Sequence, residues 1–166
     1  EFRRVLFRSE GYLVGWCDSR DTDQNIYVQH FDGNGNRIDD NVKVSEGTGN
    51  SVFDLYLTGN PGGYFLALWA NTGVRSEILI QAFDATGKIS GGNITVSDGL
   101  VLGERFSPNA IFRTDGSVLV TFTDTRTAII DIYAQIINSD FTLSGSNFKL
   151  TSGASGAHQH QSKIAR

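Results

Sequence analysis

The stretch GYLVGWCDSR (residues 11–20) is met again as GYFLALWANTG (63–73) and as GSVLVTFTDTR (116–126). Its aromatics Trp16, Trp69 and Phe122 stand 53 and 53 residues apart. The neighbouring segments on the C-terminal side repeat as well. NIYVQHFD (25–32), EILIQAFD (77–84) and DIYAQIIN (131–138) keep Gln29, Gln81 and Gln135 in phase. NVKVS (41–45), NITVS (93–97) and NFKLT (147–151) do the same for Asn41, Asn93 and Asn147. A further short element precedes each aromatic segment. Ser51–Leu57 and Ser107–Phe112 read as two copies of it, and Ser162–Arg166 as the start of a third. A unit of about 52–54 residues marks an array in which each repeat leans on the next.

Each segment predicts a strand. YLVGW, YFLALW and VLVTF are aromatic and branched, with Gly, Asp or Asn at their borders. VKV, ITV and FKL alternate apolar and polar residues, the period of a half-buried strand. Lys43, Thr95 and Lys149 at their centres suit outer strands that discourage pairing with other chains. Asp32-Gly33-Asn34-Gly35 and Asp84-Ala85-Thr86-Gly87 are hairpin turns with Gly in the left-handed position; the third copy, Asn138-Ser139-Asp140-Phe141, must turn without one. No window carries a helical stripe.

Composition sets the outer bounds. With 166 residues, 39% of them hydrophobic, the chain suits one domain or part of an array. Cys17 is the single cysteine, which excludes an internal disulfide framework and a cysteine-based zinc cluster. A formal charge of −4 argues against a nucleic-acid surface, and no apolar run reaches the roughly 18 residues of a membrane span. The chain has no Met, which reads as a missing native start. One codon choice for EFRRVLFRS (1–9) resembles the end of a widely used sequencing-library adapter, so residues 1–9 read as translated adapter. Without their three Arg and one Glu the charge becomes −6.

Four short antiparallel strands per unit indicate an all-β fold: a partial β-propeller of about three four-stranded blades in an open arc. The expected division is blade 1 at 10–50 lacking its first strand, blade 2 at 51–106, blade 3 at 107–161, and 162–166 opening a further blade. An isolated arc of this kind is expected to be poorly soluble or molten, because its end faces lack caps. The pattern W-x-D-x-R, then D-I-Y-x-Q-x-F-D-x-x-G, then a short N-x-x-V strand, resembles a repeat of secreted bacterial multi-blade propellers. Trp16, Asp18 and Arg20 carry it in the first copy, and Phe122, Asp124 and Arg126 in the third. The second copy departs, with Asn71 for the Asp and Gly73 for the Arg. The sialidase Asp-box, the GH and WD pairs of WD40 repeats and the kelch double glycine are absent. The resemblance implies an extracellular or cell-surface protein. No cofactor is expected, and three blades too few to close a ring imply further blades of the same polypeptide as partners.

Several residues invite a functional reading. The Asp–Arg pairs at 18/20 and 124/126 repeat, as a device that fixes a loop does. Gln29, Gln81 and Gln135 lie in apolar strands and suit buried amides that hold strand register. Asp21–Asn25 has oxygen donors at alternate positions but lacks the acidic residue that completes a calcium loop. His158 and His160 share a face without an identifiable third metal ligand, so no metal is expected. Asn93-Ile94-Thr95 is a glycosylation sequon by pattern. Cys17, aligned with Ala70 and Thr123, reads as a small packing residue. The divergent loops Glu46–Asn50, Asp98–Arg105 and Ser152–His160 are expected to share one end with Ser19–Gln24, Thr72–Ser76 and Thr125–Ile130.

These observations favour a non-catalytic binding or scaffold module for polysaccharide or protein, with Arg105, His158 and His160 as ligand contacts. The alternative is a propeller-type glycoside hydrolase or lyase fragment, which needs two carboxylates on inner strands, most of them expected in missing blades. Only one candidate is present, Asp54, whose counterparts read as Ala110 and Ala165.

Overall fold

The computed structural model describes residues 3–7, 11–21, 23–46, 51–72, 76–98, 102–127, 129–152 and 156–165. All twelve elements there are strands. In chain order they are β1 (Arg3–Phe7), β2 (Gly11–Asp21), β3 (Asp23–Phe31), β4 (Arg37–Lys43), β5 (Ser51–Gly59) and β6 (Phe65–Thr72). Then come β7 (Glu77–Phe83), β8 (Ile89–Thr95), β9 (Arg105–Phe112), β10 (Val118–Asp124), β11 (Asp131–Ile137) and β12 (Leu143–Lys149). They form three antiparallel four-stranded meanders, β1 to β4, β5 to β8 and β9 to β12.

Burial follows from the side-chain alternation of a strand. One face of the second sheet carries Leu66, Leu68, Ala70, Ile78, Ile80, Ala82 and Val96, which cluster with Val118, Val120, Phe122 and Tyr133 of the third. Its other face carries Phe65, Ala67, Trp69 and Phe83, which cluster with Leu13, Ile26, Val28 and Val44 of the first. Three sheets are thus stacked face to face, and the middle one is apolar on both sides. The outer strands β4, β8 and β12 are mostly exposed, Lys43, Thr95 and Lys149 among their exposed residues. These strands begin well before the VKV, ITV and FKL motifs, and Val44 and Val96 lie just past the ends of β4 and β8.

Two expectations are corrected. First, the opening sheet has its inner strand: Arg3–Phe7 pairs with Gly11–Gly15. A bare edge of β2 is a row of unpaired N–H and C=O groups that any adjacent extended apolar segment can satisfy. Second, the inner-strand register differs from that read by eye. Asp54, Ser107 and Gln161 have positive φ of 55, 52 and 59°, spaced like the repeat. The pairing of β5 and of β9 shifts there, opposite Trp69 and Phe122. The counterparts of Asp54 are therefore Ser107 and Gln161, not Ala110 and Ala165. Residues 162–165 carry no strand pairing, but Ser162 Oγ lies 2.8 Å from Thr121 Oγ1 on β10.

The turns show how the third copy manages without glycine. Gly35 and Gly87 take φ of 88 and 78°, and Phe141 takes 64° at the same position. Such a conformation costs a bulky residue about 1–3 kcal/mol. Phe141 offsets this by packing against the core cluster that holds Ala82. At the neighbouring interface the sizes are exchanged: His30 stands at the place of Ala82, and Gly87 at the place of Phe141. A Cβ on Gly87 would lie 2.5 Å from His30 Nδ1. There the space stays open as a cavity of about 170 Å³, bordered by His30, Asp39, Thr86 and Lys88 over Leu13 and Phe83.

Turn aspartates hold the hairpins. Asp32, Asp84, Asp115 and Asp140 accept local bonds from Asn36, Thr86, Ser117 and Thr142, and each carboxyl lies below its ordinary range. Asp131 is lowered too, chiefly by Lys149 Nζ at 2.8 Å. A lowered folded value means that the stability contributed is complete above the unfolded carboxyl value of about 3.9 and is lost as pH falls through the folded value. The thermal midpoint is therefore expected to be unaffected by these groups from about pH 5 upward and to decline below about pH 4. Melts followed by circular dichroism check this; a midpoint unchanged down to about pH 3 would contradict it.

Candidate functional site

The Asp–Arg pairs sit at the C-terminal ends of β2 and β10. Arg20 donates from its backbone N and its Nε to the Asp18 carboxylate, both at 2.9 Å, and Trp16 Nε1 donates to the same carboxylate at 3.0 Å. These bonds, Arg20's first, hold the Asp18 carboxyl well below its usual range. The third copy repeats the geometry: Arg126 N, Nε and Nη2 donate to Asp124 at 2.7, 2.9 and 2.6 Å. In both copies the guanidinium lies over a tyrosine, 4.2 Å from the Tyr27 ring and 4.1 Å from the Tyr133 ring. The second copy changes all three partners, to Asn71, Gly73 and Leu79, and the buried Asn71 Oδ1 has no hydrogen bond. The device is one unit of carboxylate, guanidinium and phenol ring.

Arg105 is not an exposed ligand contact. It is wholly buried between the second and third sheets. Its Nε donates to Asp124 at 3.1 Å, Nη1 to the Ser76 carbonyl at 2.8 Å and Nη2 to the Asp98 carbonyl at 3.0 Å. The apolar faces take its stem and Asp124 its charge, so burial is compensated. At the equivalent place between the first two sheets stands the shorter Val52. That end is correspondingly more open, and Cys17 is exposed there, whereas Ala70 and Thr123 are buried. Cys17 is therefore not a packing residue.

A second polar device crosses the stack at mid-height. Gln29, Gln81 and Gln135 each donate from Nε2 to the next residue's carbonyl and to two carbonyls of the outer strand. This is where the outer strand's pairing shifts register. Asn93 Nδ2 donates to Gln81 Oε1 at 2.7 Å and to the Val44 carbonyl of the preceding sheet at 2.9 Å. Its Oδ1 accepts from Glu46 N. Asn147 does the same with Gln135, Val96 and Asp98 N. With its amide so engaged, Asn93 is not presented as a glycosylation acceptor.

The other candidates scatter. Asp54 is exposed, and its carboxylate accepts from Ser107 N at 2.8 Å, joining the inner strands of the second and third sheets. His158 Nδ1 accepts from Ile130 N at 3.1 Å and pins the tail to the loop before β11, which places these two loops at one end as expected. His160 is exposed. In the acidic stretch 21–25, Asn25 turns inward, where its Oδ1 accepts from Ser45 Oγ. Sequence reasoning passed over Ser45, Ser97 and Thr151, which receive the N–H of Ile26, Ile78 and Ile132. Their signal was the hydroxyl residue closing NVKVS, NITVS and NFKLT.

Comparison with solved structures shows a likeness to a protein of unknown function from Dyadobacter fermentans, known from a crystal structure. The TM-score is 0.59 at 16% identity, over 84% of this chain and 38% of that one. The chain thus spans well under half the length of that protein, and the likeness concerns the fold alone. No family model and no curated protein matches. Among the described residues no helix is long and apolar enough to cross a membrane.

Proposed function

We propose that the chain is an arc of a β-propeller that serves as a non-catalytic recognition scaffold in a secreted or cell-surface bacterial protein. Its partners are the remaining blades of the ring and, at the loop end, a polysaccharide or a protein. One observation carries the reading: the charged and amide side chains that recur with the repeat are spent on the frame. Asp124, Arg126, Gln81, Gln135, Asn93 and Asn147 are bonded within or between sheets. The segments that diverge most between repeats in the sequence are those joining one unit to the next, and variable loops on a rigid frame suit recognition. The face-to-face stack supports the propeller reading, since each sheet buries an apolar face only against its neighbour.

The carboxylate pair of a glycoside hydrolase finds no support here. Asp54 is tied to Ser107, and its repeat counterparts are Ser107 and Gln161. A glycan array followed by polysaccharide pull-down tests the reading, with product analysis on each captured polymer. Capture with the polymer left intact is the expected result. Cleavage that Asp54→Asn abolishes would replace this reading with the enzymatic one.

A further inference from the structure

The two covered interfaces of the stack define what an uncovered one lacks. Each seats an asparagine that donates to one carbonyl of the preceding sheet and accepts from the N–H two residues on. Asn93 meets the Val44 carbonyl and Glu46 N, both at 2.9 Å. Asn147 meets the Val96 carbonyl at 2.9 Å and Asp98 N at 2.7 Å. The first sheet carries the same set, Trp16, Gln29 and Asn41, on its outward face. There Asn41 Oδ1 receives Arg20 Nη1 at 3.1 Å, its Nδ2 has no partner among the described residues, and Arg37 Nε takes Gln29 Oε1 at 2.7 Å. The space left is a groove of about 290 Å³ lined by Val14, Trp16, Gln29, Phe31, Arg37 and Asn41.

The complementary half is on the third sheet. Val44, Val96 and Leu150 are repeat equivalents, and each donates its N–H at 2.8 Å to the third strand of its own sheet, at the carbonyls of Ile26, Ile78 and Ile132. Val44 and Val96 are 2% and 0% exposed; Leu150 is 48% exposed. The Leu150 carbonyl and Ser152 N–H stand where Val44 and Glu46 present their groups to Asn93.

We propose that, where no neighbouring blade covers it, the groove around Trp16 and Asn41 receives Leu150 and Ser152 of a second copy of this chain, so that copies associate head to tail. The inference rests on the proposed stacking architecture. Leu150 of one copy fills the groove between Trp16 and Phe31 of the next, and Asn41 takes the Leu150 carbonyl and Ser152 N–H. Arg37 then yields Gln29 Oε1 to Asn41 Nδ2. The tail at 159–162, which is bonded to Ile130, Thr123 and Thr121 on the same sheet, is displaced. The contact is heterologous, joining two different surfaces, so it propagates until a ring closes or a filament grows.

Sedimentation of the full chain over a wide concentration range tests this. Wild type is expected to exceed the single-chain mass of 18.1 kDa, increasingly so with concentration. Trp16→Arg spoils the groove and Leu150→Lys spoils what enters it, so each variant alone is expected to be monomeric. A mixture of the two retains one good groove and one good insert. It is expected to form a pair of chains and nothing larger. Wild type that stays monomeric, folded or molten, would overturn the proposal. So would association that survives either substitution, as nonspecific aggregation would, or a mixture that stays monomeric. Failure to capture a polysaccharide or protein, with association intact, would count against the recognition role alone.

Discussion

Replacing Asp124 by alanine is expected to cost the chain about 3–5 kcal/mol of stability. Asp124 and Arg105 are both wholly buried, and the carboxylate is the only anionic group that meets the Arg105 guanidinium among its described partners. Removing one partner of a buried ion pair is costly because water cannot reach the charge that stays behind. For a chain of this size each kcal/mol moves the thermal midpoint by roughly 2–4 °C, so the midpoint should fall by about 6–20 °C. Asp18→Ala is the internal control. It removes the corresponding arginine bonds of the same motif, with Trp16 Nε1 as donor where Asp124 has Arg105, but the Asp18 and Arg20 side chains are 18% and 45% exposed, and water takes over there. Its midpoint should barely move. Arg105→Val, the residue present at the equivalent Val52, leaves Asp124 held by Arg126 and should cost less than Asp124→Ala. Equal losses at positions 18 and 124 in thermal melts would show that burial does not set the energetics of this motif.

The two Asp–Arg pairs also mark the limit of sequence reading. Their recurrence pointed to a structural device, because chemistry tied to one ligand has no reason to repeat. Strand positions, the Gln and Asn phases and the stacking followed from the period and from residue alternation. Arg105 did not follow, because a charged residue outside the repeated pattern reads as surface, and only the register of β9 turns it inward toward Asp124. That register depends on a bulge. The positive φ of Asp54 and Ser107 adds a residue to the inner strand, and neither side chain announces it. The exchange of sizes between His30 with Gly87 and Ala82 with Phe141 was legible only in part. Phe141 in a turn built for glycine signals a compensation, but its partner lies more than fifty residues away in the chain. The candidate site was the least legible part, since end loops answer to a ligand and not to the periodicity that shapes the sheets.

Trp69→Ala is expected to cost about 3–5 kcal/mol, and Trp16→Ala at the equivalent position no more than about 1–2 kcal/mol in dilute protein. Trp69 is 1% exposed and belongs to the cluster formed with Leu13, Ile26, Val28 and Val44 of the first sheet. Its loss removes a large apolar surface and leaves a void between two sheets that cannot collapse without moving the strands of both. Trp16 lies on a partly exposed face, stacked on Tyr27 and bonded to Asp18, so its loss forfeits one ring contact and one hydrogen bond. Chemical denaturation at low protein concentration reads both differences. Equal costs there would mean that neighbouring sheets do not bury this position, and the stack would lose its energetic basis. Concentration then separates the two positions further. If a second copy covers Trp16, wild type gains stability by mass action as concentration rises, while Trp16→Ala gains less. The apparent cost of Trp16→Ala should therefore climb toward that of Trp69→Ala, because the groove has become the third covered interface of the same kind.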